Sequence, residues 1–382
     1  MLENIVIKSE EEEKLRQILE TKGDPESERL KRFLNMLDLS RTPGNPLYEL
    51  VERLINLPDF KNFDIIKSPE IVATNISFDI FNTPLNHPSR SKSDTYYVDN
   101  DHILRTQTTI MWYYHLSNEK IRERIKNHET IGALSYGKVY RKDEIDRHHM
   151  NVFHQIDGWY LVPRNQKIIN IQDLQNILVK IAQAIFGDQI KYRFNEDTFP
   201  FTDPSIEMEI EKDGKWIEVL GSGVVHKKVL INLGIDPETY TGWAFGFGLE
   251  RLAIISMDLP DIRLLWSDDE RVKLQLKLGN KYKGVSKFPP IVRDVSFVVD
   301  KTFVPNDYFD VIRDIGGDLI EQVELLDKYE NSDKFGEGKL SYTFRITYRS
   351  IERTLTNEEI NKIHSKIEER TKTDFAGKVR VN

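Results

Sequence analysis

Two stretches of this sequence concentrate residues suited to phosphate chemistry. One is "GWAFGFGLERLAI" at 242–254, where Gly246 and Gly248 precede Arg251. Glycines let a backbone approach a ligand closely, and a guanidinium fork on the first turn of the following helix can face whatever lies over them. The other is "GKVYRKDEIDRHHMNVFHQID" at 137–157, which reads as a strand, a basic loop and a returning strand. Arg141 stands at the strand end, Asp143, Asp146 and His148-His149 follow, and Phe153 lies on the return. A fork arginine beside an aromatic can bind a phosphate and stack a purine ring. The dinucleotide fingerprint does not fit the first stretch: its last glycine is replaced by Arg251, and the motif lies deep in the chain after an antiparallel region. Zinc is not expected at the two histidines, because adjacent side chains point apart and no third ligand is evident.

These residues need elements to carry them. From about residue 64, segments rich in β-branched and aromatic residues alternate with turn signals, among them Asp213-Gly214. Helical patterns interrupt at 108–128, at 171–187 and from Leu249 onward. Strands joined by short turns predict an antiparallel sheet flanked by helices, an α+β domain. Upstream, residues 1–40 carry ten acidic and seven basic side chains and read as two charged helices. Gly23 ends the first, and Asp24-Pro25 starts the second. A third helix follows Pro46. After Trp266 a charged stretch reads as a helix and then a linker ending at Pro289-Pro290. The last hundred residues read strand, helix, strand, strand, helix, strand, the ferredoxin-like order. The expected domains are therefore a helical extension at 1–43, a core at 44–275, a linker at 276–288 and a C-terminal domain at 289–382.

Composition narrows the chemistry. The 382 residues are 39% hydrophobic and 30% charged, with a net charge of −8 and no cysteine. Disulfides, thiol catalysis and cysteine-ligated metal sites are excluded. No apolar run is long enough to predict a membrane span. The acid-rich start has neither the apolar core of a secretory signal nor the Arg-rich character of a transit peptide.

The basic loop "VYRKD…VFHQID" resembles motif 2 of class II aminoacyl-tRNA synthetases, and "GFGLERL" resembles their motif 3. "NHPSRSKSDTYYV", "LRTQTT", "FPFTDPSIEMEI" and "WIEVLGSGVVHKKVL" look like phenylalanyl-tRNA synthetase specifically. "FPPIVRDVSFVV", "IGGDLIEQVELLDKY" and "YRSIERTLTNEEI" resemble its ferredoxin-fold anticodon-binding domain. Fused behind a catalytic core, that domain matches the single-chain, organellar-type form. The resemblance covers residues 44–382.

It implies that phenylalanine and ATP form an adenylate, which then esterifies the terminal ribose of tRNA(Phe). Such a reaction needs positioning and charge neutralisation, not a protein nucleophile. By resemblance, Arg141 would hold the α-phosphate, Arg251 the γ-phosphate and Phe153 the adenine, with Asp143, His149, Gly246 and Gly248 completing the ATP site. Asp203 and Glu218 are the candidates for Mg²⁺, which favours hard oxygen ligands. Phe199, Phe201, Ala244 and Phe245 would form the phenylalanine ring pocket, and Gln107, Thr109, Gln155 and Asp157 would receive the ammonium group. Paired aromatics around a proline also often simply pack into a core. Such an apolar pocket would reject the added hydroxyl of tyrosine only about a hundredfold. The chain departs from the family at Gln107 (usually His), at Asp157 (usually Glu) and in "TTIMWYY".

Arg293, Arg345, Tyr348, Arg349 and Arg353 are the candidates for tRNA contact, the alternative for any one arginine being an ordinary surface ion pair. No editing domain is expected in a chain of this length, and a monomer is expected from the single-chain form. The cytoplasm and the mitochondrial matrix both fit as its location. A paralogue adenylating an acid for another acceptor and a catalytically silent tRNA-binding protein are the competing readings.

Overall fold

Side-chain caps start the N-terminal helices where the sequence places them. α1 (Glu10–Glu20) is capped by Ser9, whose hydroxyl accepts from the Glu12 N–H at 3.1 Å. α2 (Pro25–Asn35) begins on Asp24 with Pro25 in its first turn, and α3 (Pro46–Ile55) repeats this with Asn45 and Pro46. The structure is a computed structural model that describes residues 4–284 and 288–380. The remaining residues, including 285–287 of the expected linker, lie outside the described residues.

Ten strands follow from the alternating segments of the first of two units, which comprises the chain through Arg141, Val152–Leu259 and Leu276–Lys281. They are β1 (Asn4–Val6), β2 (Asp64–Lys67), β3 (Ile71–Ala73), β4 (His102–Leu104), β5 (Ile131–Tyr140), β6 (Val152–Pro163), β7 (Tyr192–Phe199), β8 (Thr202–Lys212), β9 (Lys215–Val225) and β10 (Tyr240–Gly248). Eight of them form one sheet in the order β1-β2-β5-β6-β10-β9-β8-β7, and β3 pairs with β4. β1–β2 and β2–β5 are parallel, and the other pairs are antiparallel. α4 (Met111–Ser117), α5 (Glu119–Lys126), α6 (Ile171–Phe186), α7 (Lys227–Asn232) and α8 (Leu249–Met257) flank it. The α+β architecture thus agrees with the expectation.

The N-terminal extension falls within this unit, and it supplies β1, one of the sheet's two edge strands. Leu15, Leu19, Leu30 and Phe33 share a buried cluster with Tyr140 and Val152, which flank the basic loop. The ammonium of Lys138 on β5, almost fully buried, donates to the carbonyls of Leu34 at 2.8 Å and Met36 at 2.9 Å, capping the end of α2. It also lies 3.3 Å from the Glu70 carboxylate. Replacing Lys138 by methionine removes those partners and strands part of a buried charge network. The expected cost is about 3 kcal/mol in a urea titration; an unchanged midpoint would show that the ammonium does not hold the extension.

The second unit comprises Lys142–Asn151, Pro260–Gln275 and the chain from Tyr282. It contains α9 (Glu270–Lys273), β11 (Ile291–Asp300), α10 (Pro305–Gly316), β12 (Ile320–Tyr329), α11 (Ser332–Phe335), β13 (Lys339–Tyr348), α12 (Asn357–Asp374) and β14 (Lys378–Val379). The sheet order β12-β13-β11-β14 is the ferredoxin-like arrangement read from the sequence. Tyr342, Phe344, Ile346 and Tyr348 fill its core from alternate positions of β13. The charged helix expected after Trp266 is only the four residues of α9, and Leu274, which closes it, is exposed.

Candidate active site

The pairing of β6 with β10 builds the centre of the first unit's site. Directly opposed residues are Gln155 with Gly248, Asp157 with Gly246, and Trp159 with Ala244. Opposed residues of an antiparallel pair share a face, so these six side-chain positions line one surface. Across β9 the same face continues through Gly221 and Gly223. A Cβ at 246 would lie 2.5 Å from the Asp157 carboxylate and one at 221 would lie 2.9 Å from the Phe199 ring, so either would force those side chains to move. Small residues on three strands thus make a hollow, as the glycine-rich stretch suggested.

Aromatic rings wall the hollow. Phe199 and Phe201 stack with centroids 5.9 Å apart. Phe201 meets Trp112 edge-on at 6.2 Å and Phe81 at 6.3 Å, and Trp112 stacks on Trp159 at 5.2 Å. Phe201 packs against the cluster that contains Ala244, Trp112 and Trp159. Phe81, Trp112 and Trp159 were absent from the sequence reading; only the unusual "TTIMWYY" marked one of them. Phe245 must be corrected: it sits on β10 at the parity opposite to Ala244, so its ring lies on the other face of the sheet. There it packs with Phe60, Trp243 and Phe247 at centroid distances of 5.8, 5.9 and 5.7 Å and does not enter the hollow.

Asp157 is buried at the bottom of this surface. Thr109 donates to its carboxylate at 2.6 Å, and Thr108, a neighbour the sequence reading did not select, donates as well. Burial pushes the carboxyl up to about 6, against the pull of those two hydroxyls and of Arg141 and Arg105. Beside it, the Gln155 side-chain oxygen is buried with no hydrogen-bond partner among the described residues. A costly carboxylate and an orphaned acceptor together suit a cationic, hydrogen-bond-donating ligand group. Gln107 immediately precedes the short turn Thr108–Ile110 that carries both threonines, so it stands at the edge of this group.

Of the phosphate-directed residues, Arg141 directly follows β5, Phe153 lies on β6 and Arg251 on α8. Arg141 lies with its guanidinium carbon 5.2 Å from the Phe153 ring centroid, and its Nε donates to the Thr106 carbonyl at 3.0 Å. Arg251, on the first turn of α8, is half-exposed; its Nη1 is 3.4 Å from the Glu218 carboxylate and 3.3 Å from the Glu218 carbonyl. No side chain caps α8 at Gly248 among the described residues, so its first N–H groups add to the positive field there.

The metal pair requires correction. Glu207 and Glu209 share a face of β8, and their partners on β9 are Gly221 and Glu218. A register shift between Met208 and Glu209 therefore brings Glu218 onto the face of the glycine hollow. Asp203 lies at the far end of that ladder, beside Thr202, which pairs with Val225. The two carboxylates are not brought together, and no group of three or more His, Asp or Glu among the described residues is arranged to hold a metal ion.

Two further candidates belong to the second unit. Asp143 and His149 lie on Lys142–Asn151, where the Asp143 carboxylate accepts from the Glu144 N–H at 2.8 Å and the His149 ring is 2.7 Å from Asp146. That segment is tied in by Lys142 to Asp307 at 2.8 Å, by Asn151 to Asp310 at 3.0 Å and by burial of Ile145 in the unit's core.

Tyr348 is fully buried with its hydroxyl 2.9 Å from His364, so it cannot stack on a base and is corrected to a core residue. Arg345 makes two 2.8 Å bonds to Asp294, Arg349 bonds Glu321 at 2.5 Å, and Arg353 pairs with Glu359. The ion-pair alternative thus describes all three. Arg293 differs: its fork is held by the neutral side chains of Asn357 at 2.7 Å and Asn361 at 3.0 Å.

The family model described as the class II core domain (F) of tRNA synthetases matches residues 37–276, and that of the ferredoxin-fold anticodon-binding domain matches residues 286–380. The chain is 40% identical over 319 residues to the chloroplastic/mitochondrial phenylalanine–tRNA ligase of Arabidopsis thaliana, a match covering 81% of this chain and 70% of that protein. It is 35% identical over 350 residues to the mitochondrial phenylalanine–tRNA ligase of Mus musculus, covering 82% and 74%. With the mitochondrial enzyme of Saccharomyces cerevisiae it shares 32% identity over 406 residues, covering 85% of each.

Proposed function

This chain belongs to the class II aminoacyl-tRNA synthetases, within the phenylalanine–tRNA ligase family, and on that premise we propose how its residues divide the work. It is a ligase that uses ATP to attach phenylalanine to tRNA(Phe). In the first step the phenylalanine carboxylate attacks the α-phosphorus and pyrophosphate leaves, giving the adenylate. In the second, a hydroxyl of the terminal ribose attacks the adenylate carbonyl and AMP leaves. Neither step needs a protein nucleophile.

The observation that carries the residue assignment is the register of β10 against β6, which sets Gly246 opposite Asp157 and Ala244 opposite Trp159. Asp157 and the orphaned Gln155 oxygen receive the ammonium group, with Thr109 and Thr108 orienting the carboxylate. The benzene ring occupies the space over Ala244, between Phe199 and Phe201 and the Trp112–Trp159 stack. Arg141 neutralises charge at the α-phosphate, adenine stacks on Phe153, and Arg251 holds the γ-phosphate. Of the two candidates, Glu218 and not Asp203 fits Mg²⁺ here, since that ion is commonly held by one or two carboxylates plus substrate phosphates; bound with ATP it would offset phosphate charge.

The relatives' names point to the mitochondrial matrix as the place of work. A monomer is supported by α3, whose apolar residues Leu47, Leu50, Val51 and Leu54 are fully buried within the first unit and offer no free face to a partner. Arg293, with an uncancelled charge, is the foremost tRNA contact.

The test is phenylalanine-dependent ATP–pyrophosphate exchange followed by charging of tRNA(Phe). Wild type is expected to perform both. Arg293→Ala keeps exchange, raises the KM for tRNA about tenfold and lessens its salt dependence. Absence of exchange in the wild-type chain would overturn the assignment, and an unchanged tRNA KM in the variant would remove Arg293 from it.

A further inference from the structure

Neighbouring residues of one strand contact Arg141 and the residue before Arg251. On β6, Phe153 carries Arg141 on one face, and the next residue, His154, points to the other face and is fully buried. There the Glu250 carboxylate, immediately before Arg251 on α8, accepts from the His154 backbone N–H at 2.9 Å and lies 2.6 Å from its Nδ1. The Leu39 N–H donates to His154 Nε2 at 2.9 Å. A backbone N–H can only donate, so Nε2 must accept and Nδ1 must carry the proton that Glu250 receives. The imidazole is thereby fixed in one tautomer, held on one side by the turn Leu39–Arg41 and on the other by the start of α8.

We propose that His154 and Glu250 are positioning residues for adenylation, tying the first turn of α8 to β6 so that Arg251 is held at a fixed distance from Arg141. The inference rests on the assignment of Arg141 and Arg251 to the phosphates of ATP. Neither His154 nor Glu250 reaches the hollow; both act through the arginines on either side. The arrangement is costly unless it has such a role, because a buried carboxylate and a buried imidazole could be replaced by apolar side chains in an interior that needed only packing. Phosphate chemistry supplies the need: a displacement of about 1 Å in a positioning group can cost about a hundredfold in rate.

Amide side chains separate the two halves of the link. In His154→Asn the amide nitrogen takes the place of Nδ1 and still donates to Glu250, whereas the bond from Leu39 is lost. In His154→Gln the amide oxygen takes the place of Nε2 and accepts from Leu39, whereas the side-chain donor to Glu250 is lost and only the backbone N–H remains. Exchange kinetics on the full-length chain, with thermal melts, are expected to show a KM for ATP raised about tenfold in His154→Gln and Glu250→Gln, with the KM for phenylalanine unchanged. His154→Asn should retain a KM for ATP near wild type even though its melting temperature falls. Melting temperatures that fall in all three variants with ATP KM unchanged would overturn the proposal and make the pair purely structural. Equal increases in His154→Asn and His154→Gln would overturn it too. Arg251→Ala, assayed alongside, keeps the premise separate: if that variant retains full exchange, the phosphate assignment fails, whatever the His154 variants do.

Discussion

Replacing Arg251 by alanine is expected to lower phenylalanine-dependent ATP–pyrophosphate exchange about a thousandfold, the loss typical of removing one group that stabilises charge developing in a transition state. The fold should survive. Arg251 is half-exposed, and it makes one 3.4 Å approach to a half-exposed carboxylate and one 3.3 Å bond to a carbonyl. Surface pairs of this kind contribute little, so unfolding free energy should stay within about 0.5 kcal/mol of wild type. Arg251→Lys restores the charge without the planar fork and should recover only part of the rate. The loss should appear in kcat/KM for ATP. Exchange near the wild-type rate in a folded Arg251→Ala protein would mean that the glycine-rich stretch serves β10 and α8 structurally and does not bind phosphate.

The second large effect has opposite signs for activity and stability. Asp157→Asn should reduce exchange by at least about a hundredfold, because the phenylalanine ammonium loses its charged partner. The same substitution should stabilise the free protein at pH 8. The sign follows from the folded-state carboxyl, which burial raises from the ordinary aspartate value of 3.8 to about 6. A raised value means the folded chain prefers the protonated acid. Its favourable contribution is complete below pH 4, declines as pH rises through 6, and leaves an ionisation cost of about 3 kcal/mol above that. Asparagine never ionises, so the variant should gain up to that amount at pH 8 and nothing at pH 4. The two threonine hydroxyls, set to donate to a carboxylate, will reduce the gain. Phenylalanine should stabilise wild type more at pH 8 than at pH 5 and leave the variant's melting temperature unmoved. For wild type the KM for phenylalanine should rise as pH falls below 6. A variant less stable than wild type at pH 8 would show that the ionised carboxylate is used by the fold itself and not reserved for substrate.

The departure at this position bears on the same balance. Where the family usually has glutamate, aspartate lies one methylene shorter and is taken up by two adjacent threonines. On the proposed assignment the ammonium would have to come down to the carboxylate beside Gly246, where an added Cβ would lie 2.5 Å from it. The glycine and the shortened acid are complementary in space.

Much of this was legible in the one-dimensional pattern. Helix starts at Ser9, Asp24 and Asn45 follow from local cap chemistry, which acts within four residues. The two architectures follow from the spacing of strands and turns, and Arg141, Arg251, Phe153 and the glycines announce themselves by type and motif. What the sequence could not decide was which side of a strand a residue faces when both sides are apolar. "GWAFGFG" offers no polar contrast, so the burial of Phe245 on the reverse face is fixed only by the pairing of β10 with β6. Register decides the metal candidates in the same way: the shift opposite Met208 and Glu209 brings Glu218 to the site, while Asp203 remains at the other end of its ladder. The candidate arginines of the second unit look alike in sequence, yet only folding reveals that Arg345, Arg349 and Arg353 meet carboxylates and Arg293 meets amides. Local chemistry was written in the sequence because caps, turns and motifs act over a few residues. Facing, register and partnership belong to the tertiary structure because they depend on strands and helices far apart in the chain.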